Sequence, residues 1–217
     1  MRGKDVNPND SWLGYGPGSL SARARQRRTE HFLDQFPQLS EMTVVDLGGT
    51  SSFWAAMPVM PASVTVVNLD PRAGDPERGI RCVVADACTY EGAPVDLVVS
   101  NSLIEHVGGV GPRTQLADTI RRLAARYWIQ TPYRYFPIEP HWMFPGMQFL
   151  PLNVRARLAS RHWTVGTHMD PAYAIEQVRW TELIGMSEMR ELFPEAKIWK
   201  ERVAGLIKSI VAVKPDA

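Results

Sequence analysis

One stretch constrains the fold of this chain more than any other: Thr43-Val44-Val45-Asp46-Leu47-Gly48-Gly49-Thr50-Ser51-Ser52. Val44, Val45 and Leu47 are apolar and strand-forming. Asp46 places a carboxylate at the end of that strand. Gly48 and Gly49 permit a backbone path that a side chain would block. In an open α/β sheet such a turn lies at the carboxyl end of the first strand, where ligands bind. The G-x-G-x-x-G spacing of a dinucleotide fingerprint is missing.

The same rhythm continues downstream. Short apolar runs read as strands over about 43–47, 63–70, 81–85, 95–100 and 127–131, and two more over about 196–201 and 207–213. Helices are expected near 51–57, over about 111–126, where Leu116, Ile120 and Leu123 fall at helical spacing, and near 181–192. This alternation predicts a mostly parallel sheet covered by helices. Residues 1 to about 18 read as loop. Ser19 or Ser21 is placed to cap a helix ending near Phe36, before Pro37. Its Arg23, Arg25, Arg27 and Arg28 read as a solvated face, or as a partner for an anionic group. Residues 132–180, with Pro132, Pro137, Pro140, Pro145 and Pro151 among many aromatics, break the alternation and read as an insertion forming a pocket wall or lid.

Composition narrows the class. The 217 residues suggest one domain, 1–217, with an N-terminal loop and helix over 1–40 and the insertion at 132–180. A hydrophobic share of 45% with 22% charged residues predicts a packed soluble core. A net charge of +1 gives no reason to expect a nucleic-acid partner. No apolar run approaches the roughly 18 residues of a membrane span, and no secretory leader is visible, so the expected location is cytoplasmic. Cys82 and Cys88 lack metal-finger spacing and read as reduced thiols.

Four ordered positions carry a family likeness. The Asp46–Thr50 turn resembles motif I of the class I S-adenosylmethionine-dependent methyltransferases. Asn68 and Asp70 follow the second strand, Asp86-Ala87 the third, and Ser100-Asn101-Ser102-Leu103-Ile104-Glu105-His106-Val107 the fourth. The likeness covers roughly 40–130 and 181–213. It implies an α/β fold of three layers: a Rossmann-like, seven-stranded, mostly parallel sheet with an antiparallel last strand and an inserted substrate segment. It also implies S-adenosylmethionine as cofactor, held by Asp46, Gly48, Gly49, Asn68, Asp70, Asp86, Ala87 and Asn101. Between Asn68 and Asp70, Asp70 is the nearer true carboxylate for two ribose hydroxyls, because a carboxylate accepts two donors.

The acceptor side rests on fewer residues. Glu105-His106-Val107 resembles a signature of many small-molecule members. Related O-methyltransferases, including those acting on RNA 3′ ends, carry Glu-x-x-Glu-His there and bind Mg²⁺. Here Ser102 replaces the first acid, leaving Glu105 and His106 as the metal candidates. His141, His106 and Glu105 are the catalytic candidates, with Glu139 beside them, because a hydroxyl acceptor needs a base or a metal to draw off its proton. Tyr133, Tyr135, Trp142, Phe144 and Trp163 offer flat faces, and Arg134, Glu139, His162 and His168 hydrogen bonds, for a sugar. The whole chain looks like the O-methyltransferases of methylmannose polysaccharide synthesis. The expected reaction is methyl transfer to a hydroxyl of a sugar or oligosaccharide. Transfer to another small molecule or an RNA 3′ end, or cofactor binding without catalysis, are the alternatives.

Overall fold

A computed structural model describes residues 20–161 and 170–216. The expected loop over 1–18, the cap at Ser19, and His162, Trp163 and His168 lie outside the described residues. The first helix, α1 (Leu20–Gln35), stops just before Pro37, whose ring cannot continue it. Then come β1 (Thr43–Leu47), α2 (Ser51–Ala55), β2 (Ser63–Asn68), β3 (Ile80–Val84), β4 (Leu97–Asn101), α3 (Val110–Leu123) and β5 (Tyr127–Pro132). Beyond β5 the chain leaves the sheet. It forms a two-stranded hairpin, β6 (Ile138–Glu139) and β7 (Phe144–Pro145), and the helices α4 (Leu152–Arg161) and α5 (Pro171–Arg179). It returns through α6 (Met186–Leu192), β8 (Lys197–Val203) and β9 (Leu206–Lys214).

The seven strands of the main sheet lie in the order β3-β2-β1-β4-β5-β9-β8. β1 to β5 are parallel, and β9 runs antiparallel to both β5 and β8. The last strand is therefore the antiparallel one, as expected, and it lies inside β8 and not at the edge. β1 has β2 on one side and β4 on the other, which makes the carboxyl end of β1 the topological switch point of the sheet.

Alternation along the strands builds two cores. Val45, Leu47, Val67, Val98 and Ile129 pack with Leu116, Ile120 and Leu123 of α3 and Met189 of α6 on one face. Val44, Val66, Leu97, Val99 and Trp128 pack with Phe32 and Phe36 from α1 and its end, and with Trp54 of α2, on the other. Period-two strands thus have both faces covered, the requirement of a mostly parallel sheet. A third, smaller core of Trp142, Met147, Ala159, Ala174 and Val178 holds the inserted segment together.

The last helix is shorter than its sequence predicts. It starts at Met186, behind Gly185 in an extended conformation. Residues 181–184 spend their backbone groups elsewhere: the Glu182 amide donates to the Glu105 carbonyl (2.8 Å), and the Arg134 amide donates to the Ile184 carbonyl (3.2 Å).

Candidate active site at the strand ends

The turn after β1 is closed by contact. Gly48 has φ +74°, the left-handed region that glycine enters without strain, and its amide donates to the Val67 carbonyl (2.8 Å). A Cβ on Gly49 would lie 1.8 Å from Asp46 Oδ2. Asp46 is fully buried, and the Trp54 indole N–H donates to Oδ2 (2.9 Å). Its Oδ1 has no hydrogen-bond partner among the described residues. Burial, opposed by the Trp54 hydrogen bond, pushes this carboxyl up to about 7. Nothing in the sequence set Trp54 apart, although its place three residues into α2 turns it toward Asp46.

The two candidates after β2 have different surroundings. Asn68 ends the strand and donates through Nδ2 to the carbonyls of Gly48 (3.2 Å) and Gly49 (2.8 Å). Its Oδ1 accepts from the Asp70 amide (3.0 Å). A carboxylate at 68 has no N–H for those carbonyls, so an amide here holds the glycine turn as an acid would not. Asp70 lies on the surface and is paired with Arg72 through Nε (2.9 Å) and Nη2 (2.8 Å). These hydrogen bonds hold its carboxyl below the usual range. After β3, Asp86 accepts from the Cys88 amide (2.8 Å), and Ala87 is buried beside it.

The loop after β4 turns sharply at Ser102, with φ +54°, and brings Glu105 under the insertion. Glu105 is fully buried. Its Oε2 accepts from the Thr131 hydroxyl (2.8 Å), on β5. Its Oε1 meets hydrogen-bond geometry with no described group, although the Ser102 hydroxyl and Glu105's own amide lie near enough to favour the ionised form. Burial outweighs them and pushes this carboxyl up to about 6. His141 comes from the β6–β7 hairpin. Its Nε2 lies 4.0 Å from Glu105 Oε1, and its Nδ1 is 2.7 Å from Glu139 Oε1. Glu139, itself buried, also accepts from the Trp142 amide (2.8 Å), which locks the hairpin and the imidazole together. Burial disfavours a charged His141, but the Glu139 hydrogen bond and the charges of Glu139 and Glu105 outweigh it and raise its pKa. The His106 ring stands edge-on to His141, centroids 4.8 Å apart. Burial, then the neighbouring His141 charge, pushes His106 down to about 4, against a hydrogen bond to the Trp180 backbone.

Sequence candidates 36 positions apart therefore meet: Glu105, His106 and His141 form one cluster, with Glu139 behind it. Asn101 stands apart from them. Its Nδ2 is buried without a partner among the described residues, and it lines a separate cavity of about 410 Å³ on the α1 face. Arg25 and Arg28 of α1 line the same cavity, together with Ser52 and Phe53 at the start of α2. Two of the four arginines in the helix thus face a cavity; Arg23 and Arg27 are exposed.

A buried network that the sequence did not single out holds the cluster from behind. Arg113 of α3 is almost fully buried and binds the Glu182 carboxylate (2.8 Å), the Glu182 carbonyl (2.9 Å) and Glu188 of α6 (2.5 Å). Glu182 is the residue whose amide holds the Glu105 carbonyl. Arg155 of α4 binds the Val178 and Thr181 carbonyls (3.0 and 2.8 Å), fastening the insertion to the same segment. The signal was legible: Arg113 falls three residues before Leu116, on the apolar stripe of its helix, where a charge needs partners.

No protein-family model matches the chain, and no curated protein does. Solved structures share its fold. A possible exported protein from Bordetella parapertussis is 18% identical, with a TM-score of 0.56 over 97% of this chain and 77% of that one. The N-methyltransferase NodS from Bradyrhizobium japonicum WM9 is 11% identical, with a TM-score of 0.55 over 89% and 98%. Magnesium protoporphyrin IX methyltransferase from Synechocystis PCC 6803, with bound SAM, is 10% identical, with a TM-score of 0.52 over 94% and 88%. The chain thus has the Rossmann-like fold of methyltransferases. Among the described residues no helix is long and apolar enough to cross a membrane.

Proposed function

We propose that this chain is an S-adenosylmethionine-dependent O-methyltransferase whose acceptor is a hydroxyl of a sugar or oligosaccharide, with a mannoside as the first candidate. The observation that carries the reading is one of placement. A closed glycine turn at the switch point lies one strand away from a Glu105–His141–Glu139 arrangement whose two carboxylates are buried, both at carboxyl ends of the sheet.

The residues suit the cofactor. The Asp46 carboxylate is packed where a Cβ on Gly49 would stand, which keeps the turn at the strand end tight and free of side chains. Asn101 Nδ2, without a partner among the described residues and lining one cavity with Arg25 and Arg28, suits the carboxylate of an amino acid. Asp70 and Asn68 after β2 serve the ribose, and Asp86 and Ala87 the adenine. Bound there, S-adenosylmethionine supplies an electrophilic methyl group on a sulfonium. The protein's part is to align an acceptor oxygen with it and to take the proton. Glu139 holds the Nδ1 side of His141, leaving Nε2 as the proton acceptor. A sugar hydroxyl ionises far above neutrality, so the proton leaves as the methyl transfers.

The insertion supports a sugar acceptor. Tyr133, Tyr135 and Phe149 form a run of rings with centroids 5.5 and 5.9 Å apart, and Tyr135 and Phe149 are exposed. Such faces suit sugar C–H groups. Mg²⁺ fits less well. The cluster offers one carboxylate and two imidazoles, whereas Mg²⁺ prefers a shell of oxygens. The direct test is methyl-donor turnover against a panel of mannosides and other sugars. Turnover of amines or thiols alone, with no hydroxyl acceptor, would refute the O-methyl assignment.

A further inference from the structure

We propose that Arg134 and Arg155 form an anion subsite in the insertion, and that the acceptor is an acidic sugar, carrying a carboxylate or a phosphate, in preference to a neutral one. The inference rests on the proposed function for the identity of the acceptor; the subsite itself rests on the placement of charge.

Arg134 lies in the run of rings that leads from Tyr133 to Phe149. Its backbone is fastened on both sides. The amide donates to the Ile184 carbonyl (3.2 Å), and the carbonyl accepts from Gln148 Nε2 (3.0 Å). Gln148 Nε2 also donates to the Phe136 carbonyl (2.8 Å), so the turn that bears Arg134 is held firmly. The residue is partly buried, yet its guanidinium makes no hydrogen bond or ion pair among the described residues. Arg155 comes from α4. Its Nη2 is spent on the Val178 and Thr181 carbonyls (3.0 and 2.8 Å), and its Nε is buried with no hydrogen-bond partner among the described residues. Carbonyls satisfy donors of a guanidinium, but they do not cancel its charge.

The charges around Arg155 are those of Glu139, Glu182 and Arg134. Both acids are committed elsewhere. Glu139 holds His141 Nδ1 (2.7 Å) and the Trp142 amide (2.8 Å), and Glu182 binds Arg113 (2.8 Å). Among the described residues neither acid forms an ion pair with Arg134 or Arg155. The fold therefore holds two guanidiniums within electrostatic reach of each other and leaves both without a paired carboxylate. Like charges in a partly buried place repel, and a bound anion relieves that repulsion. The planar fork of arginine fits carboxylate and phosphate oxygens; a neutral hydroxyl leaves the charge unmet.

Glu139 joins this pair to the proton step, because the carboxylate whose charge Arg155 feels is the one that orients His141. An acceptor anchored at the arginines by its charged substituent is thereby brought toward His141 by a hydroxyl. The cofactor does not compete for this role: its sulfonium and ammonium outnumber its carboxylate, so its binding adds positive charge to the site.

The test is calorimetric titration of the full chain, with S-adenosylhomocysteine present, using methyl mannoside, mannuronate and mannose monophosphate at low and at high salt. At least one acidic sugar is expected to bind about 10-fold or more tightly than methyl mannoside at low salt, with the advantage shrinking as salt rises. Comparison of the two acids tells a carboxylate subsite from a phosphate one. Arg134→Ala should remove most of the advantage. Its thermal melt and its affinity for S-adenosylhomocysteine should match the wild type, because the side chain has no other partner among the described residues. Arg134→Lys keeps the charge without the fork and should restore part of the preference. Arg155→Gln, which keeps donors for the two carbonyls and loses the charge, should act like Arg134→Ala. Arg157→Ala removes an exposed charge from the same helix and should leave the preference as it is. In turnover, Arg134→Ala should raise KM for the acidic sugar by about 10–100-fold with kcat nearly unchanged, the pattern of lost binding. Equal affinity for acidic and neutral sugars, no binding of either acidic sugar, or a preference unchanged in Arg134→Ala would overturn the proposal. Arg134-dependent binding of an acidic sugar without methyl transfer would count against the proposed function and leave the subsite standing. Methyl transfer to neutral sugars alone would overturn the subsite and leave the proposed function standing.

Discussion

The glycine turn after β1 and the Glu105–His106–His141 cluster lie at the same end of one sheet, yet they are built in opposite ways. The turn is local. Asp46, Gly48 and Gly49 are neighbours in sequence, Asn68 and Trp54 fasten them, and there is no space for even a methyl group. The cluster is assembled from a loop after β4 and a hairpin 36 residues later, and among the described residues its Glu105 Oε1 has no hydrogen-bond partner. A closed local turn reads as a fixed seat. A non-local cluster with spare lone pairs reads as a place where charge or a proton is handled. The chain puts its rigidity into the first and its reactivity into the second.

That contrast makes Gly49→Ala the most damaging change. The new Cβ would collide with a buried carboxylate that cannot swing away without breaking its Trp54 bond. We expect a loss of about 3 kcal/mol or more in denaturant unfolding, and cofactor binding lost with it. Gly109→Ala, where a Cβ meets nothing within 4 Å, is the matched control and should change stability little.

His141→Ala should do the reverse. It breaks the second region without the first, cutting turnover by about 10²–10⁴-fold while leaving cofactor affinity nearly unchanged. Equal turnover of wild type and variant, with chemistry rate-limiting, would remove His141 from the proton step.

A subtler difference concerns pH. Asp46 has a folded-state value raised from 3.8 to about 7. A raised acid binds its proton more tightly in the folded state, so its contribution is fully present below about pH 4 and is lost as pH rises through about 7. The slope from one group is at most about 1.4 kcal/mol per pH unit. Asp46→Asn should flatten the fall in stability across that window in melts at fixed ionic strength. An unchanged slope would show that Asp46 does not titrate there.

The smallest effect belongs to the rim. Asp86→Ala should weaken cofactor binding by about 0.5–1.5 kcal/mol, the net worth of one hydrogen bond. A calorimetric loss well beyond that would mean that Asp86 also supports the loop through the Cys88 amide.

The same contrast explains what the sequence made legible. Short apolar runs located all seven strands of the main sheet, because burial on both faces leaves a continuous local signature. The turn was readable for the same reason: its residues are adjacent. Glu105, His106 and His141 could be suspected one by one. Their meeting could not be read, because it depends on Ser102 entering the left-handed region and on Glu139 folding the hairpin back. Asn68 shows a further limit. By strand length it stood where an acid was expected, and only the two glycine carbonyls beside it explain an amide there. The helix expected from residue 181 shows another, since residues 181–184 form tertiary hydrogen bonds in place of a helical turn.

The proposed function makes the closed turn a seat for S-adenosylmethionine. It is tested most directly by calorimetric titration of the wild-type protein with S-adenosylhomocysteine and, separately, with NAD. One S-adenosylhomocysteine bound per chain, no NAD, and no S-adenosylhomocysteine binding by Gly49→Ala are expected. Tight NAD binding with no affinity for either S-adenosylmethionine or S-adenosylhomocysteine would contradict it.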